Sequence, residues 1–367
     1  MLLVTRTDGA ALSLWSNRVL AARGSPRRGV EPEKRCRHDG SGPLTIIGVG
    51  ATGQPRTMRW VLASIAATAA AQRYEVLEGV ELVWAAPAAT PKGLVALFHA
   101  TGRRAHHWWP ASTKCSSCKA LPAEASLARA CLKHGLAAAS LTAHSTTWSQ
   151  DDGPRAAHAL VALSTRQGWK VPLYAIGIGE GASFVATSLP RALPPSLPLK
   201  GVHVQLLGDV PATRRPAAKR VAVLSMPRDA PTQRRVEGAI RTWRRAGAEV
   251  LEQRAAPLAL DDTYFSRTLS GVSPQESRQL VRLLRVAGYV SGGGFLLADP
   301  ATSAWRGVVA APLGRRGAAE LGTLRVVARD DLSSRSSALG AALARAYGRS
   351  EASAEDADAA LAFLLKE

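Results

Sequence analysis

The sequence predicts an α/β fold with a mainly parallel, doubly wound sheet, and three features of the chain indicate it. From Val80 onward, short apolar runs alternate with longer segments of helical spacing. Two of these runs, Leu94–Phe98 and Val221–Leu224, are apolar at every position, as buried parallel strands are. Clusters of Gly, Pro and polar residues separate the segments. The chain has 367 residues and is 46% hydrophobic, which is enough for a large buried core.

Seven strands are predicted, with helices between most of them. The strands are Val80–Trp84, Gly93–Phe98, Ala137–Leu141, Pro172–Ile176, Gly201–Leu206, Arg220–Leu224 and Glu249–Glu252. The helices are Pro122–His134, Pro154–Gln167, Gly181–Leu189 and Thr232–Ala246. A helical insertion follows the last strand, with Ser273-Pro274 opening a helix, and a final helix spans Ala354–Leu365. Ligands of such sheets bind beyond the carboxyl ends of the strands, so a site is expected there.

The segment ahead of this domain, which we place at residues 76–367, divides into two parts. Residues 1–57 mix Gly, Pro, Arg and Ser without a sustained hydrophobic period, which predicts a disordered or targeting extension. Residues 58–71 combine Met58, one positive charge, an apolar run and small residues, as a signal peptide does. The alternative is an alanine-rich helix leading into the domain. A start at Met58 would send the protein into the secretory pathway or outside the cell; otherwise its location is open, organelle targeting included.

The net charge and its distribution along the chain indicate whether nucleic acid or a membrane is an expected partner. The net charge is +19, from 47 Lys and Arg against 28 Asp and Glu. The arginines form short pairs along the chain, without the aromatic residues that single-strand binders place among them, so we expect no nucleic acid partner. The apolar run after Met58 is shorter than the roughly 20 residues that span a bilayer, so no stable membrane span is expected.

The four cysteines include one closely spaced pair, Cys115-x-x-Cys118. A pair supplies too few ligands for structural zinc, which takes four, and His106, His107 and Cys131 would have to complete such a site. A local disulfide or two free thiols are the simpler alternatives. We therefore expect neither a metal nor a cofactor.

One sequence motif of the chain resembles a known catalytic motif. The segment Gly177-Ile178-Gly179-Glu180-Gly181 ends a predicted strand and opens a predicted helix. It matches the G-x-S-x-G nucleophile elbow except at its centre, where Gly179 stands in place of serine. Without a side chain at that position, no oxygen is available to attack a carbonyl carbon.

With this motif the chain resembles uncharacterised plant and algal proteins of the α/β-hydrolase superfamily, over most of residues 80–367. The other segments that carry the resemblance are Phe98-His99-Ala100-Thr101-Gly102, Trp108-Trp109, Cys115-x-x-Cys118 with Leu121-Pro122, Met226-Pro227-Arg228-Asp229, and Ala346–Glu351. The resemblance implies an α/β-hydrolase fold related to serine ester and acyl hydrolases, whose triad follows the chain order nucleophile, acid, histidine.

Transferred by position, the family's triad is incomplete in this chain. Asp229 stands at the acid position, Gly179 at the nucleophile position and Ser350 at the histidine position before the last helix. All eight histidines precede Asp229, against the family's order. We therefore expect a pseudoenzyme with a degenerate triad that binds a small acyl or carbonyl ligand or a protein partner. The alternative is an active hydrolase of the same fold acting on ester or acyl substrates, through Glu180, Asp229 and a bound water or through an unrecognised nucleophile.

The candidate binding residues are His99, Ala100, Thr101 and Glu180. The backbone N–H of Glu180, with one from Ala100 or Thr101, would form an oxyanion or anion site. Three of the candidate site residues, Asp229, His99 and Glu180, also have a purely structural explanation. Asp229 would cap the helix that follows it, His99 would be a satisfied histidine at a strand end, and Glu180 would be an exposed carboxylate at a helix start.

Overall fold

The computed structural model of the chain describes residues 72–208, 218–226, 228–310, 332, 337–349 and 351–366, together with the backbone of four short strands nearer the amino terminus. Those strands are β1 (Leu3–Thr5), β2 (Ala11–Ser13), β3 (Thr45–Val49) and β4 (Pro55–Arg56), in the antiparallel order β2-β1-β3-β4. The chain divides into two units, Met1–Ala67 and Thr68–Glu367. The expected signal peptide, residues 58–71, and the rest of the 1–57 extension lie outside the described residues.

Eight strands form the central sheet of the second unit. They are β5 (Arg73–Leu77), β6 (Val80–Ala85), β7 (Leu94–Phe98), β8 (Ala137–Leu141), β9 (Leu173–Ile178), β10 (Leu199–Gln205), β11 (Arg220–Ser225) and β12 (Glu249–Arg254). Their order is β12-β11-β10-β9-β7-β8-β6-β5. β6 is antiparallel to both neighbours and all other pairs are parallel. Counted from β5, this is the 1-2-4-3-5-6-7-8 order of the α/β-hydrolase fold, which confirms the predicted fold class.

β5 is the strand that the sequence pattern did not predict. It lies at the edge of the sheet, and Arg73, Tyr74 and Val76 are exposed, so it lacks the apolar run that identifies the buried strands. The two-residue turn Glu78-Gly79, with φ values of 51° and 70°, joins it to β6. Positive φ at both residues suits a tight hairpin. The sheet therefore begins at Arg73, ahead of the boundary expected at residue 76.

Helices cover both faces of the sheet close to where the sequence predicts them. In chain order they are α1 (Pro122–Lys133), α2 (Asp152–Arg166), α3 (Glu180–Thr187), α4 (Leu189–Ala192) and α5 (Ala230–Arg245). α2, α3 and α5 contribute to the core on one face. α1 packs on the other face with the final helix of the chain, Ala357–Leu364. The core is thus a three-layer arrangement, as a doubly wound sheet requires.

The predicted helical insertion follows β12. Its described helices are α6 (Tyr264–Thr268), α7 (Pro274–Val286), α8 (Trp305–Ala310) and α9 (Ala338–Tyr347), so the final helix is α10. α7 begins with a capping box, in which the Ser273 hydroxyl accepts from the Glu276 N–H and the Glu276 carboxylate accepts from the Ser273 N–H. The insertion has a core of its own that includes Phe265, Leu280 and Trp305.

A buried ion-pair cluster ties the loop after β7 to α1 and to the segment ahead of α10. Arg103 donates to both carboxylate oxygens of Glu351 at 2.9 Å and also pairs with Glu124. Each of the three side chains is at most 9% exposed. Burial opposes the charge on Arg103, but the two carboxylates outweigh it and raise its pKa. Burial also raises the pKa of Glu124, against the attraction of Arg103.

Replacing Arg103 with alanine should destabilise the fold strongly, because it leaves two buried carboxylates without their cation. We expect Arg103→Ala to lower the free energy of unfolding by about 3–5 kcal/mol, measured by urea denaturation. The neighbouring Arg104 is the matched control, because its side chain is 62% exposed and lies 4.0 Å from Glu81. Arg104→Ala should change stability by about 0.5 kcal/mol or less. Equal losses in the two variants would contradict the role of the cluster.

Candidate functional site

The turn between β9 and α3 gives its central residue an unusual backbone conformation. β9 ends at Ile178, Gly179 has φ 61° and ψ −122°, and α3 begins at Glu180. A sharp, strained strand-to-helix turn of this kind is what raises a nucleophile above an α/β-hydrolase sheet. The Gly179 N–H donates to the carbonyl of Gln205 at 2.9 Å, which fixes the turn against the end of β10.

The glycines on either side of Gly179 are required by close packing. A Cβ on Gly177 would lie 2.4 Å from the carbonyl oxygen of Gly181, and one on Gly181 would lie 2.5 Å from the carbonyl oxygen of Phe98. A Cβ on Gly179 would meet only Ala100, at 3.2 Å from its Cβ. A side chain at position 179 would contact only Ala100 but would have to adopt a positive φ. Positions 177 and 181 have no space for a side chain.

The loop after β7 places Thr101 next to Glu180. The Thr101 N–H donates to a carboxylate oxygen of Glu180 at 3.2 Å. Burial opposes ionisation of this carboxyl, but hydrogen bonds from the Thr101 side chain and from the backbone of Glu180 and Thr101 outweigh it and lower the pKa of Glu180. One of the backbone donors expected to form an anion site, the Thr101 N–H, is thus occupied by the protein's own Glu180 carboxylate.

His99 is held by the backbone through both of its ring nitrogens. Nδ1 donates to the carbonyl of Ala100 at 2.8 Å, and Nε2 accepts from the Ala143 N–H at 3.1 Å. The side chain is fully buried, and burial lowers its pKa to about 4. A neutral imidazole with both nitrogens engaged fits the structural explanation for His99. It links the loops after β7 and β8 and has no free nitrogen for proton transfer.

The loop after β8 packs on the loop after β7 through residues that the sequence analysis did not single out. Thr147 Oγ1 lies 2.9 Å from Thr101 Oγ1. The Trp148 ring, which is 7% exposed, packs against His99 at 5.2 Å and against Phe184 of α3 at 4.8 Å between ring centroids. One aromatic residue in a Ser- and Thr-rich loop gives no periodic signal, so only the fold reveals this contact.

Asp229 lies in the loop after β11, where the resemblance places an acid. Its carboxylate accepts from the Thr232 N–H at 3.3 Å, and the residue is buried. This is the helix cap for α5 that its position in the sequence also suggests. Ser350, expected at the histidine position, lies outside the described residues. Its neighbour Glu351 belongs to the ion-pair cluster of Arg103.

Cys115 and Cys118 form a disulfide, one of the two alternatives that the sequence leaves open. Their Cα atoms are 5.3 Å apart. Cys131 is a buried free thiol, and burial raises its pKa to about 12. Within the part of the chain that the structure describes, no group of three or more His, Cys, Asp or Glu side chains is arranged to hold a metal ion. In that same part, no helix combines the length and apolar character needed to cross a membrane.

The packing of the turn predicts different sensitivities for two of its glycines. Gly181→Ala forces a methyl group against backbone oxygens that cannot withdraw, so we expect it to lower the free energy of unfolding by about 3 kcal/mol. Gly179→Ala adds mainly the strain of a positive φ, so we expect it to lower the free energy of unfolding by about 1 kcal/mol. Urea denaturation of the two variants checks the order. A larger loss for Gly179→Ala would mean that the turn packs differently.

Comparisons with known proteins found similarity among solved structures alone. The chain matches no family model and no curated protein. Among solved structures it is similar to a dienelactone hydrolase from Anabaena variabilis, at 15% identity over 52% of this chain and 85% of that one, with a TM-score of 0.37. It is also similar to carboxyl esterase 2 from Tuber melanosporum, at 13% identity over 54% and 79% of the chains, with a TM-score of 0.34. The plant or algal relationship stays a prediction. The strand order of the sheet itself gives the chain its assignment to the α/β-hydrolase fold.

Proposed function

We propose that this protein is a non-hydrolytic member of the α/β-hydrolase fold, a pseudoenzyme that binds a small acyl or carbonyl ligand or a protein partner without turning it over. The observation that carries the proposal is Gly179. It has the backbone conformation of an elbow nucleophile, with φ 61° and ψ −122°, and it has no side chain. The elbow is therefore degenerate at the one atom on which covalent acyl transfer depends.

The occupied anion site supports the same proposal. A tetrahedral intermediate needs two N–H donors for its oxyanion, and such donors account for a large share of hydrolase catalysis. The Glu180 carboxylate already accepts from the Thr101 N–H, and its lowered pKa keeps it ionised at neutral pH. A developing oxyanion that used the Thr101 N–H would have to displace this negative charge, which disfavours the transition state whatever group attacks.

The remaining polar residues argue against the alternative of an active hydrolase. A bound-water mechanism would need Glu180 or Asp229 to act as a base. Asp229 caps α5 through Thr232, and Glu180 is engaged with Thr101. His99 has both ring nitrogens bonded to the backbone. His99 would have to lose the bond from the Ala143 N–H before its Nε2 could accept a proton, and the two carboxylates are held at a loop and at a helix end by the bonds they accept.

Restoring the missing groups tests the proposal. The full chain is assayed on short- and long-chain acyl nitrophenyl esters beside Gly179→Ser, Gly179→Ser/Ser350→His, and the latter pair combined with Glu180→Ala. We expect the unaltered protein to be inert and the double variant to gain turnover. The triple variant should gain a further 10-fold or more, because each freed oxyanion donor contributes roughly 10²–10³ in rate.

Glu180→Ala alone is the matched control and should stay inert. Ester hydrolysis by the unaltered protein that disappears in Glu180→Ala or Asp229→Asn would establish the active-hydrolase alternative instead. Folded double and triple variants without any turnover would contradict the assignment of Gly179 and Ser350 to triad positions.

We also propose that the protein enters the secretory pathway from a start at Met58. The Cys115–Cys118 disulfide supports this location, because disulfides persist in oxidising compartments and are rare in reducing ones. Amino-terminal sequencing of the mature protein should find a start close after residue 71. A mature start before Met58 would rule the proposal out.

A further inference from the structure

A cavity of about 700 Å³ lies at the edge of the sheet opposite the β9–α3 turn. It is lined by Pro172 and Pro198, each of which directly precedes a strand, β9 or β10, so the cavity sits at the amino ends of these strands. Its volume falls within the range of roughly 300–1,000 Å³ that is usual for small-molecule sites. The elbow lies at the carboxyl end of β9, so the two places are distinct.

Part of the cavity wall is apolar and includes one aromatic ring, beside the hydroxyl groups of Ser164, Thr165 and Ser196. Val161 of α2, Val171 and Leu197 line it together with Trp169. All four pack on the apolar core of that face of the sheet. The Trp169 ring is held edge-on against Trp84, with ring centroids 5.6 Å apart. The aromatic wall is therefore positioned by the core before any ligand arrives, which reduces the ordering that binding requires.

The cavity carries positive charge without a compensating carboxylate. Lys170 and Lys200 line it, and no Asp or Glu is among the lining residues. Both lysines are exposed, and neither makes a hydrogen bond or ion pair with another described residue. Lys133 and Lys219, by contrast, pair with Asp358 and Glu249. Two unpaired ammonium groups beside an apolar wall attract an anion whose body is apolar.

We propose that this cavity is a binding site for an amphipathic carboxylate, an acyl or aryl acid whose apolar body lies against Trp169 and Leu197. Its carboxylate faces Lys170 and Lys200. The site lies away from Gly179 and uses none of the elbow residues. Binding at this site is therefore independent of whether the protein hydrolyses esters. Burial of the apolar body provides the affinity, and the two lysines select the anion over its neutral analogue.

Isothermal titration of the full chain with decanoate and with 1-naphthoate tests the site and distinguishes an aliphatic from an aromatic ligand. We expect saturable one-to-one binding of at least one of them. The charge-reversal pair Lys170→Glu/Lys200→Glu should weaken that binding at least 10-fold. The matched control is Lys92→Glu/Lys114→Glu, which reverses two exposed lysines that do not line the cavity and should leave binding unchanged. Trp169→Phe, which keeps an apolar ring, should weaken binding a few-fold.

Three results would overturn the proposal. The first is the absence of saturable binding for both carboxylates at millimolar concentration. The second is equal weakening by the two lysine pairs, which would mean non-specific attraction to a basic protein. The third is equal affinity for decanol or 1-naphthalenemethanol, which would remove the role of the lysines.

Discussion

The carboxyl edge of the sheet depends on how closely the β9–α3 turn approaches the loop after β7. At Gly181 the two segments are so close that a single added carbon would lie 2.5 Å from the Phe98 carbonyl oxygen. That approach brings the Thr101 N–H to the Glu180 carboxylate and packs Phe184 against Trp148. This backbone contact therefore positions Glu180 and Thr101 beside each other.

Several polar groups at the same edge are bonded within the protein. Glu180 accepts from the Thr101 N–H, both ring nitrogens of His99 are bonded to the backbone, and Asp229 caps α5. Beside them, Arg103 pairs with two buried carboxylates and joins the loop after β7 to the segment ahead of α10. These bonds tie the loops after β7, β8 and β11 to the helices and strands next to them.

The amino edge of the sheet has charged side chains without a partner among the described residues. There the aromatic wall at Trp169 is fixed by the core, while Lys170 and Lys200 have no partner among the described residues. In α/β proteins ligands usually bind at the carboxyl edge because helix amino termini and loops converge there. In this chain the cavity and two lysines without a partner among the described residues lie at the other end of β9 and β10.

The sequence by itself determined seven of the eight strands of the central sheet, the helices between them, the glycine at the centre of the turn and the capping position of Asp229, because each leaves a local pattern of a few residues. It could not determine the edge strand β5, whose exposed residues lack a buried strand's signature. Nor could it place Glu180 on the Thr101 N–H, 79 residues away, or Arg103 on Glu351, 248 residues away. Contacts at such separations, and the cavity between α2 and the strand ends, exist only when the sheet order brings distant segments together, and no local pattern encodes that order.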